Sequence, residues 1–149
     1  MKIIQKTLFI LIYIFLVVTA GFSVNKTWTG TVSVDWHTSG NWLPSGVPIA
    51  GDNVTINTLS NPPKISANAV ANSLTISSGS LTITGNTSLI LSGNFTRNGG
   101  TFSAGPNTTV IFNGSNSTIG GFIPTSFANL TVAASGTVKL GQAITVGGT

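Results

Sequence analysis

The sequence has very little charge, since only 5% of its 149 residues are Asp, Glu, Lys or Arg, against about 25% in an average soluble domain. Glutamate is absent, and Asp35 and Asp52 are the only acidic residues. Glycoside hydrolysis needs two carboxylates placed across a sugar. Both aspartates lie among turn-forming residues, where an Asp side chain commonly binds nearby backbone amides. The scarcity of acids therefore argues against a hydrolase of this kind.

Cysteine is also absent, which excludes disulfides, thiol chemistry and cysteine-bound metals. The segment 51–53 offers one carboxylate and one amide, whereas calcium takes 6 to 8 oxygen ligands. His37 is the only histidine, and no GxSxG motif supplies a nucleophile for a serine triad. We predict no catalytic residue, no metal site and no cofactor, and hence a protein that is not an enzyme.

Basic residues are few and scattered, although the formal net charge is +4. Two of the six, Lys2 and Lys6, precede the first apolar run. The others are distributed singly along the chain: Lys26, Lys64, Arg97 and Lys139. Because nucleic-acid binding requires a cluster of cations that neutralises several phosphates, we expect no nucleic-acid partner.

The first 20 residues have the pattern of a secretory signal peptide. Lys2 and Lys6 precede the apolar run 8–18, and small residues follow, with cleavage expected after Ala20. The alternative is an uncleaved anchor, but a membrane-spanning helix needs about 20 apolar residues and this run is shorter. We predict a secreted or cell-surface protein with no membrane span after cleavage.

The segment 21–63 contains all three tryptophans, Trp28, Trp36 and Trp42. Polar and apolar residues alternate from Thr27 to Val34, which predicts a first strand there. Turn-forming residues follow, and then a second strand is predicted over 54–56. Asn61-Pro62-Pro63 interrupts any strand, because proline donates no backbone hydrogen bond, and we place the boundary of this segment there.

The segment 64–149 is repetitive, with short strands of two apolar residues around one polar residue, separated by turns rich in Gly, Ser and Asn. Phe95 and Phe102 are predicted to face inward as well. The near-identical runs SLTISSG and SLTITGN favour an all-β solenoid over the alternative, a β-sandwich. A solenoid needs an atypical cap at its end, and the tryptophan-rich segment fits that role. The predicted apolar pairs are Leu74 and Ile76, Leu81 and Ile83, Leu89 and Leu91, Val110 and Phe112, Leu130 and Val132, Val138 and Leu140, and Ile144 and Val146.

The run TWTGTVSVDWHTSGNWLPSGVPIAGDNVTI resembles the N-terminal segment of large secreted, repeat-rich surface proteins of Bacteroidetes-type bacteria. Its part GVPIAGDNVTI is also similar to the start of a G8-type domain, and TVIFNGSNSTIGG and FANLTVAASGTVKL resemble the repeat units. The resemblance implies an adhesin-like protein with a right-handed β-helix. Such proteins run much longer, and this chain stops at VGGT within a repeat, which predicts a fragment.

These observations predict a non-catalytic structural or adhesin-like protein whose partners are glycans or other cell-surface components. The alternative is a carbohydrate-binding module of a larger secreted enzyme, with Trp28, Trp36 and Trp42 as its sugar-binding residues, since aromatic faces stack on sugar rings. Outward threonines such as Thr75, Thr82 and Thr84 would suit an ice-binding array, but threonine is simply favoured in strands. Burial of the three tryptophans in the cap is the competing interpretation.

Overall fold

A computed structural model describes residues 23–58 and 60–147. The predicted signal peptide, residues 1–20, lies outside this range. Apart from one short 3-10 helix, Ser39–Asn41, all regular structure in the described residues is β-strand. No helix in these two ranges has the length and apolarity that a membrane crossing requires.

The strands are short, and they recur with a regular spacing along the chain. Thr55 pairs with Thr75, twenty positions later, and Thr75 pairs with Thr96, twenty-one positions later. Each turn of about 20 residues contributes three strands, and the tight corners between them are made by the Gly, Ser and Asn runs. The strands are β1 (Asn25–Trp28), β2 (Trp42–Leu43), β3 (Asn53–Ile56), β4 (Lys64–Ile65), β5 (Ala69–Ala71), β6 (Ser73–Ile76), β7 (Ser80–Ile83), β8 (Ser88–Leu91), β9 (Phe95–Arg97), β10 (Thr101–Ala104), β11 (Thr109–Phe112), β12 (Asn116–Gly121), β13 (Thr125–Phe127), β14 (Asn129–Val132), β15 (Thr137–Leu140) and β16 (Ile144–Val146).

These strands stack into three faces of a β-solenoid. Sheet A consists of β1, β3, β6, β9, β12 and β15, all parallel, with β2 added antiparallel beside β1. Sheet B contains β4, β7 and β10, and β13 and β16 continue this face. Sheet C contains β5, β8, β11 and β14. The described residues thus form four complete turns, and the predicted solenoid is confirmed in place of the sandwich.

The core follows directly from the alternation of apolar and polar residues. In β3, β6, β7 and β8 the second and fourth residues are buried and the residues between them are half-buried. Because side chains alternate across a strand, one set lines the axis of the solenoid and the other covers its surface. Phe95 and Phe102 both face inward, as predicted, and their rings are 5.1 Å apart.

The tryptophan-rich segment caps one end of this core, as the sequence predicts. β2 covers the edge of β1 with Thr27 opposite Leu43 and Trp28 opposite Trp42. The edge of β4 is covered too, since Trp36 N donates to Lys64 O (3.1 Å) and Lys64 N donates to Val34 O (2.7 Å). An exposed sheet edge recruits other strands, and here two edges are paired within the chain.

The other end of the solenoid, formed by β14, β15 and β16, has no such cover among the described residues. The inward positions of these strands are only partly buried, and Val132, Leu140 and Val146 are exposed. The predicted strands over these apolar pairs are present, but the burial expected of a solenoid core is incomplete. We refer to this surface as the open end.

Two details differ from the expectations. The first strand ends at Trp28 instead of continuing to Val34, because the chain turns at Gly30 and the Thr29 and Gly30 amides both donate to Asn41 O (2.8 and 3.3 Å). In addition, β3 lies within the segment 21–63 but already belongs to the parallel stack. The boundary at residue 63 stays a prediction about domains, and the parallel stacking begins before it.

Candidate functional site

The three tryptophans form one aromatic cluster in the cap. Trp42 lies in the middle, with its ring centroid 4.9 Å from that of Trp28 and 4.6 Å from that of Trp36. Both pairs are edge-to-face, an arrangement that aromatic rings favour. All three side chains are buried: Trp28, Trp36 and Trp42 are 1%, 0% and 3% exposed. Stacking on a sugar ring needs an exposed aromatic face, and none of these indoles presents one.

Hydrogen bonds hold two of the indoles in place. Trp28 Nε1 donates to Asn61 O (2.9 Å) and Trp42 Nε1 donates to Trp36 O (2.8 Å). Trp36 Nε1 is buried and has no hydrogen-bond partner in the described residues. Its ring packs at 76° to that of Trp42, a geometry in which an aromatic face lies beside the edge of its neighbour. These contacts explain a rigid cap without reference to a ligand.

The anchor of Trp28 depends on a close approach between two loops. Gly30 has a φ of +60°, and a Cβ atom placed on it would lie 2.8 Å from Asn61 O and 2.9 Å from Trp28 Nε1. Asn61 also has a positive φ (43°), and its Nδ2 donates to Gly30 O (2.8 Å). Gly30 and Asn61 therefore connect the first strand to the loop that carries Pro62 and Pro63.

Asn41 organises the rest of the cap, a role that the sequence did not assign to it. Its side chain is fully buried, and its Oδ1 accepts hydrogen bonds from Val32 N and Ser33 N (both 2.9 Å). Its Nδ2 donates to Ser33 Oγ (3.0 Å) and to Asp35 O (2.8 Å). A buried amide requires such partners. The asparagine of the Gly-Asn-Trp motif therefore has a structural role, which is to hold the loop 32–35 in place.

Two charged side chains are buried and bind only backbone groups among the described residues. Lys26 Nζ donates to Pro44 O and Ser45 O (both 3.0 Å). The Asp52 carboxylate accepts from Val24 N through Oδ1 (2.9 Å) and from Ile49 N through Oδ2 (3.0 Å). Both carboxylate oxygens of the weak calcium candidate at 51–53 are thus engaged by backbone amides, one within the turn and one just before β1.

The candidate base His37 lies at the cap surface. Its Nε2 is 3.0 Å from Asn68 O and its Nδ1 is 3.7 Å from Asp35 Oδ1. Within residues 23–58 and 60–147, neither ring nitrogen is hydrogen-bonded to a serine hydroxyl, and no group of three His, Asp or Glu side chains is close enough to hold a metal ion. The contact between His37 and Asn68 O links the cap to the corner before β5.

A second candidate surface is the outer face of sheet A. Four threonines, one from each of β1, β3, β6 and β9, occupy the same outward position: Thr27, Thr55, Thr75 and Thr96. Their hydroxyls have no hydrogen-bond partner within the part of the chain that the structure describes. Beside them runs a column of mainly Asn and Ser residues: Asn25, Asn53, Ser73, Asn94 and Thr118. We call these two columns the threonine–asparagine face.

The asparagine column is connected internally, whereas the threonine column is not. Asn53 Nδ2 donates to Asn25 Oδ1 (3.2 Å), and Asn94 Oδ1 accepts from Thr118 N (2.9 Å). Of the threonines considered from the sequence, Thr75 lies on this face, whereas Thr82 and Thr84 lie on or beside β7 of sheet B. They therefore do not form one array. The recurring pattern of Thr between two inward residues, as in KTW, VTI, LTI and FTR, is the signal that identifies this face.

Comparison with known proteins assigns the chain to a family. Residues 27–125 match the model of DUF8693, described as a domain of unknown function. The matched range includes the whole tryptophan cluster and the strands of the first three complete turns. No curated protein and no solved structure matches the chain. Since the family model covers well over half of the sequence, the chain belongs to the DUF8693 family.

Proposed function

We propose that the chain is a non-catalytic, adhesin-like module of a secreted or cell-surface protein, in which the β-solenoid serves as a stiff support for an interaction surface. The observation that carries the proposal is the in-register threonine column on sheet A, whose hydroxyls are left for solvent or a ligand. The resemblance of the tryptophan-rich segment to secreted, repeat-rich surface proteins of Bacteroidetes-type bacteria supports the same role.

The architecture suits a support because every strand of sheet A is hydrogen-bonded to its neighbours. Backbone hydrogen bonds then run along the solenoid axis, and the inward apolar residues of successive turns stack on one another. Bending such a body requires several of these contacts to break together. Side chains on the outer faces consequently keep fixed spacings, about 4.8 Å from one strand to the next.

The chemistry of the threonine–asparagine face favours polyhydroxyl ligands such as glycans. Hydroxyl groups both donate and accept hydrogen bonds, and amides do the same. None of the nine side chains in the two columns carries a charge, so binding to this face should depend only weakly on salt. The alternative of a tryptophan-based sugar-binding module is not favoured, because the indole faces are covered.

Binding to a glycan array tests this surface. We expect Thr75→Arg to reduce binding at least tenfold, because the long side chain covers the middle of the threonine column. Thr82→Arg is the matched control, since Thr82 is an equally half-buried outward threonine on sheet B, and it should leave binding unchanged. Equal losses for both variants, or no glycan binding by the unmodified chain, would contradict the proposal.

Tryptophan fluorescence separates this proposal from the sugar-binding hypothesis for the cap. A glycan that binds to sheet A should leave the emission of the buried cluster unchanged. A sugar-induced spectral shift that persists in Thr75→Arg would instead place the ligand at Trp28, Trp36 or Trp42.

Export is tested separately by mass spectrometry of the protein from fractionated cells. The expected form begins at Gly21 and is found outside the cytoplasm, in agreement with the predicted cleavage after Ala20. A chain that retains Met1 in the cytoplasmic fraction would overturn the proposed location.

A further inference from the structure

We infer that the threonine–asparagine face binds a straight, uncharged, β-1,4-linked polysaccharide that lies parallel to the solenoid axis. About one sugar lies over each strand of sheet A, and the ring of Phe122 is the stacking platform at one end. The inference rests on the function proposed above, because it names the class of glycan that this face takes. It also adds Phe122, which belongs to neither of the two columns, to the binding surface.

The first argument is the repeat of the threonine column. Thr27, Thr55, Thr75 and Thr96 are direct partners on successive parallel strands, so their hydroxyls recur at the strand spacing, about 4.8 Å. A β-1,4-linked chain of glucose, mannose or N-acetylglucosamine has equatorial linkages, which give a straight ribbon that advances by nearly the same distance for each sugar. The strands β1, β3, β6, β9 and β12 are too few for the two repeats to fall out of step. Each sugar therefore meets its own turn of the solenoid.

The second argument is the width of the face. The two columns are two positions apart along each strand, about 6.6 Å, which is comparable with the distance between the hydroxyl-bearing edges of a sugar ribbon. Asn25 and Asn94 are exposed, and their Oδ1 atoms accept from Asn53 Nδ2 and Thr118 N. Their Nδ2 groups have no hydrogen-bond partner within the part of the chain that the structure describes. One edge of the ribbon can therefore bind threonine hydroxyls and the other edge asparagine amides.

The third argument is the length of the column. On β12 the position that continues it is Gly120, the partner of Thr96. A Cβ atom there would have Thr118 Cγ2 as its nearest neighbour, at 3.6 Å, so packing does not require a glycine. Without a side chain at this turn, a sugar ring has room above the backbone. At the capped end the column stops at Leu43, which pairs with Thr27 and is 65% exposed. Between these ends a pentasaccharide fits.

The fourth argument is the position of Phe122 beside Gly120. Because Gly121 pairs with Arg97, Phe122 takes the corner position that Asn98 takes one turn earlier. Its backbone N–H donates to Arg97 O (2.9 Å), which fixes this corner. Two residues of chain span at most about 7 Å, so the Cα atom of Phe122 lies within reach of a disaccharide placed over Gly120.

The exposure of Phe122 suits a stacking platform. At 86%, Phe122 is more exposed than any other large apolar residue in the described ranges, so its ring is open to a ligand. The face of an aromatic ring carries partial negative charge. It attracts the C–H groups on the flat side of a β-linked sugar, which carry partial positive charge. The buried tryptophans of the cap cannot make this contact, whereas Phe122 can.

The charges of sheet A favour a neutral chain. Lys26 is buried, and Arg97 donates to Gly100 O through Nε and Nη2 (3.3 and 2.7 Å) and to Pro124 O through Nη1 (2.8 Å). Lys139 lies on β15, one strand beyond the five that carry the column. Acidic sugars gain most from cations that pair with their carboxylates, and the threonine column presents none. A neutral polysaccharide is therefore the better match.

Isothermal titration calorimetry with hexasaccharides tests the linkage and the length. The probes are the β-1,4-linked hexamers of glucose, mannose and N-acetylglucosamine, and the α-1,4-linked hexamer of glucose. We expect at least one β-linked probe to bind about tenfold more tightly than the α-linked hexamer, which coils and cannot follow a straight column. For that probe, affinity should rise by about threefold with each sugar from the dimer to the pentamer. It should then stay constant.

Two substitutions test the platform. Phe122→Leu should weaken binding of the same probe about fivefold, because leucine is apolar but has no aromatic face. Phe122→Tyr is the matched control, since it keeps the ring, and it should bind as the unmodified chain does. Both variants should keep the circular dichroism spectrum and the urea midpoint of the unmodified chain, because Phe122 is 86% exposed.

The outcomes separate this inference from the function on which it rests. Equal affinities for α- and β-linked hexamers, an affinity that does not change with length, or equal binding by Phe122→Leu and Phe122→Tyr would overturn the inference. The proposed function would still stand in that case if Thr75→Arg abolished binding of another glycan. If no glycan bound to the unmodified chain, both would be overturned.

Discussion

Gly30 is a residue at which the cap should tolerate little change. Replacing it with alanine would place a Cβ atom 2.8 Å from Asn61 O at a backbone φ of +60°, where a non-glycine residue is strained. We expect Gly30→Ala to lower the free energy of unfolding by about 1–3 kcal/mol, measured by urea titration with tryptophan emission as the probe.

Gly120→Ala is the matched control for this prediction. A Cβ atom at Gly120 would meet its nearest neighbour, Thr118 Cγ2, at 3.6 Å, which is an ordinary contact. The urea midpoint of this variant should stay close to that of the unmodified chain. Equal destabilisation by both substitutions would show that the loop contact at Asn61 has no special role.

Asp52 should be the more sensitive of the two acidic residues. Each of its buried carboxylate oxygens accepts one backbone amide. In Asp52→Asn one oxygen becomes an NH₂ group that cannot accept, so a part-buried backbone N–H loses its partner, at a cost of about 1 kcal/mol. Asp35→Asn should cost less, because that side chain is 50% exposed and water replaces the lost contact. Unfolding free energies in the reverse order would contradict this account.

At the scale of the strand, the cost of a truncation should depend on position along the solenoid axis. Leu91→Ala in β8 empties a fully buried site and is expected to cost about 2–5 kcal/mol. Leu140→Ala in β15 changes an inward residue that is 59% exposed, and it should cost less than about 1 kcal/mol. Similar losses in thermal or urea unfolding would mean that the open end is covered in solution.

Most strands from β6 onward were predictable from the sequence because apolar residues alternate around single polar ones, as in Leu74-Thr75-Ile76, but β12 and β13 were not among the predicted pairs. The end of β1 was not predictable in the same way. Alternation continues from Thr27 to Val34, and the turn at Gly30 depends on hydrogen bonds to Asn41, eleven positions away. The antiparallel β2 was also missed, since a two-residue strand carries no periodic pattern.

The candidate surfaces, too, were only partly predictable from the sequence. Burial of the tryptophans was one of two interpretations of the sequence, and choosing between them required the positions of the rings. Thr75 was noticed as an outward residue, but its alignment with Thr55 and Thr96 depends on the number of residues in each turn. That number is set by the corner loops, whose lengths vary between turns, so the register of the column followed only from the structure.

For the whole molecule, the described architecture predicts a gradient of local stability along the axis. Each turn contacts mainly its neighbours, and within residues 60–147 the last strands have contacts on one side only. Amide hydrogen exchange should be slowest in β3 to β8 and fastest in β14 to β16. Uniform protection across all strands would contradict the prediction.

The short spacing between paired strands also has a consequence for how the chain folds. From β3 onward, partners in sheets A, B and C are 18 to 24 residues apart, as for Thr55 with Thr75 and Thr109 with Asn129. The entropy of loop closure is therefore small and nearly the same for each turn, which is unusual for an all-β protein and favours rapid folding. The strand pairs that form the cap join residues between 24 and 64. It can assemble first as the chain emerges and then serve as the template on which each later turn is added in order.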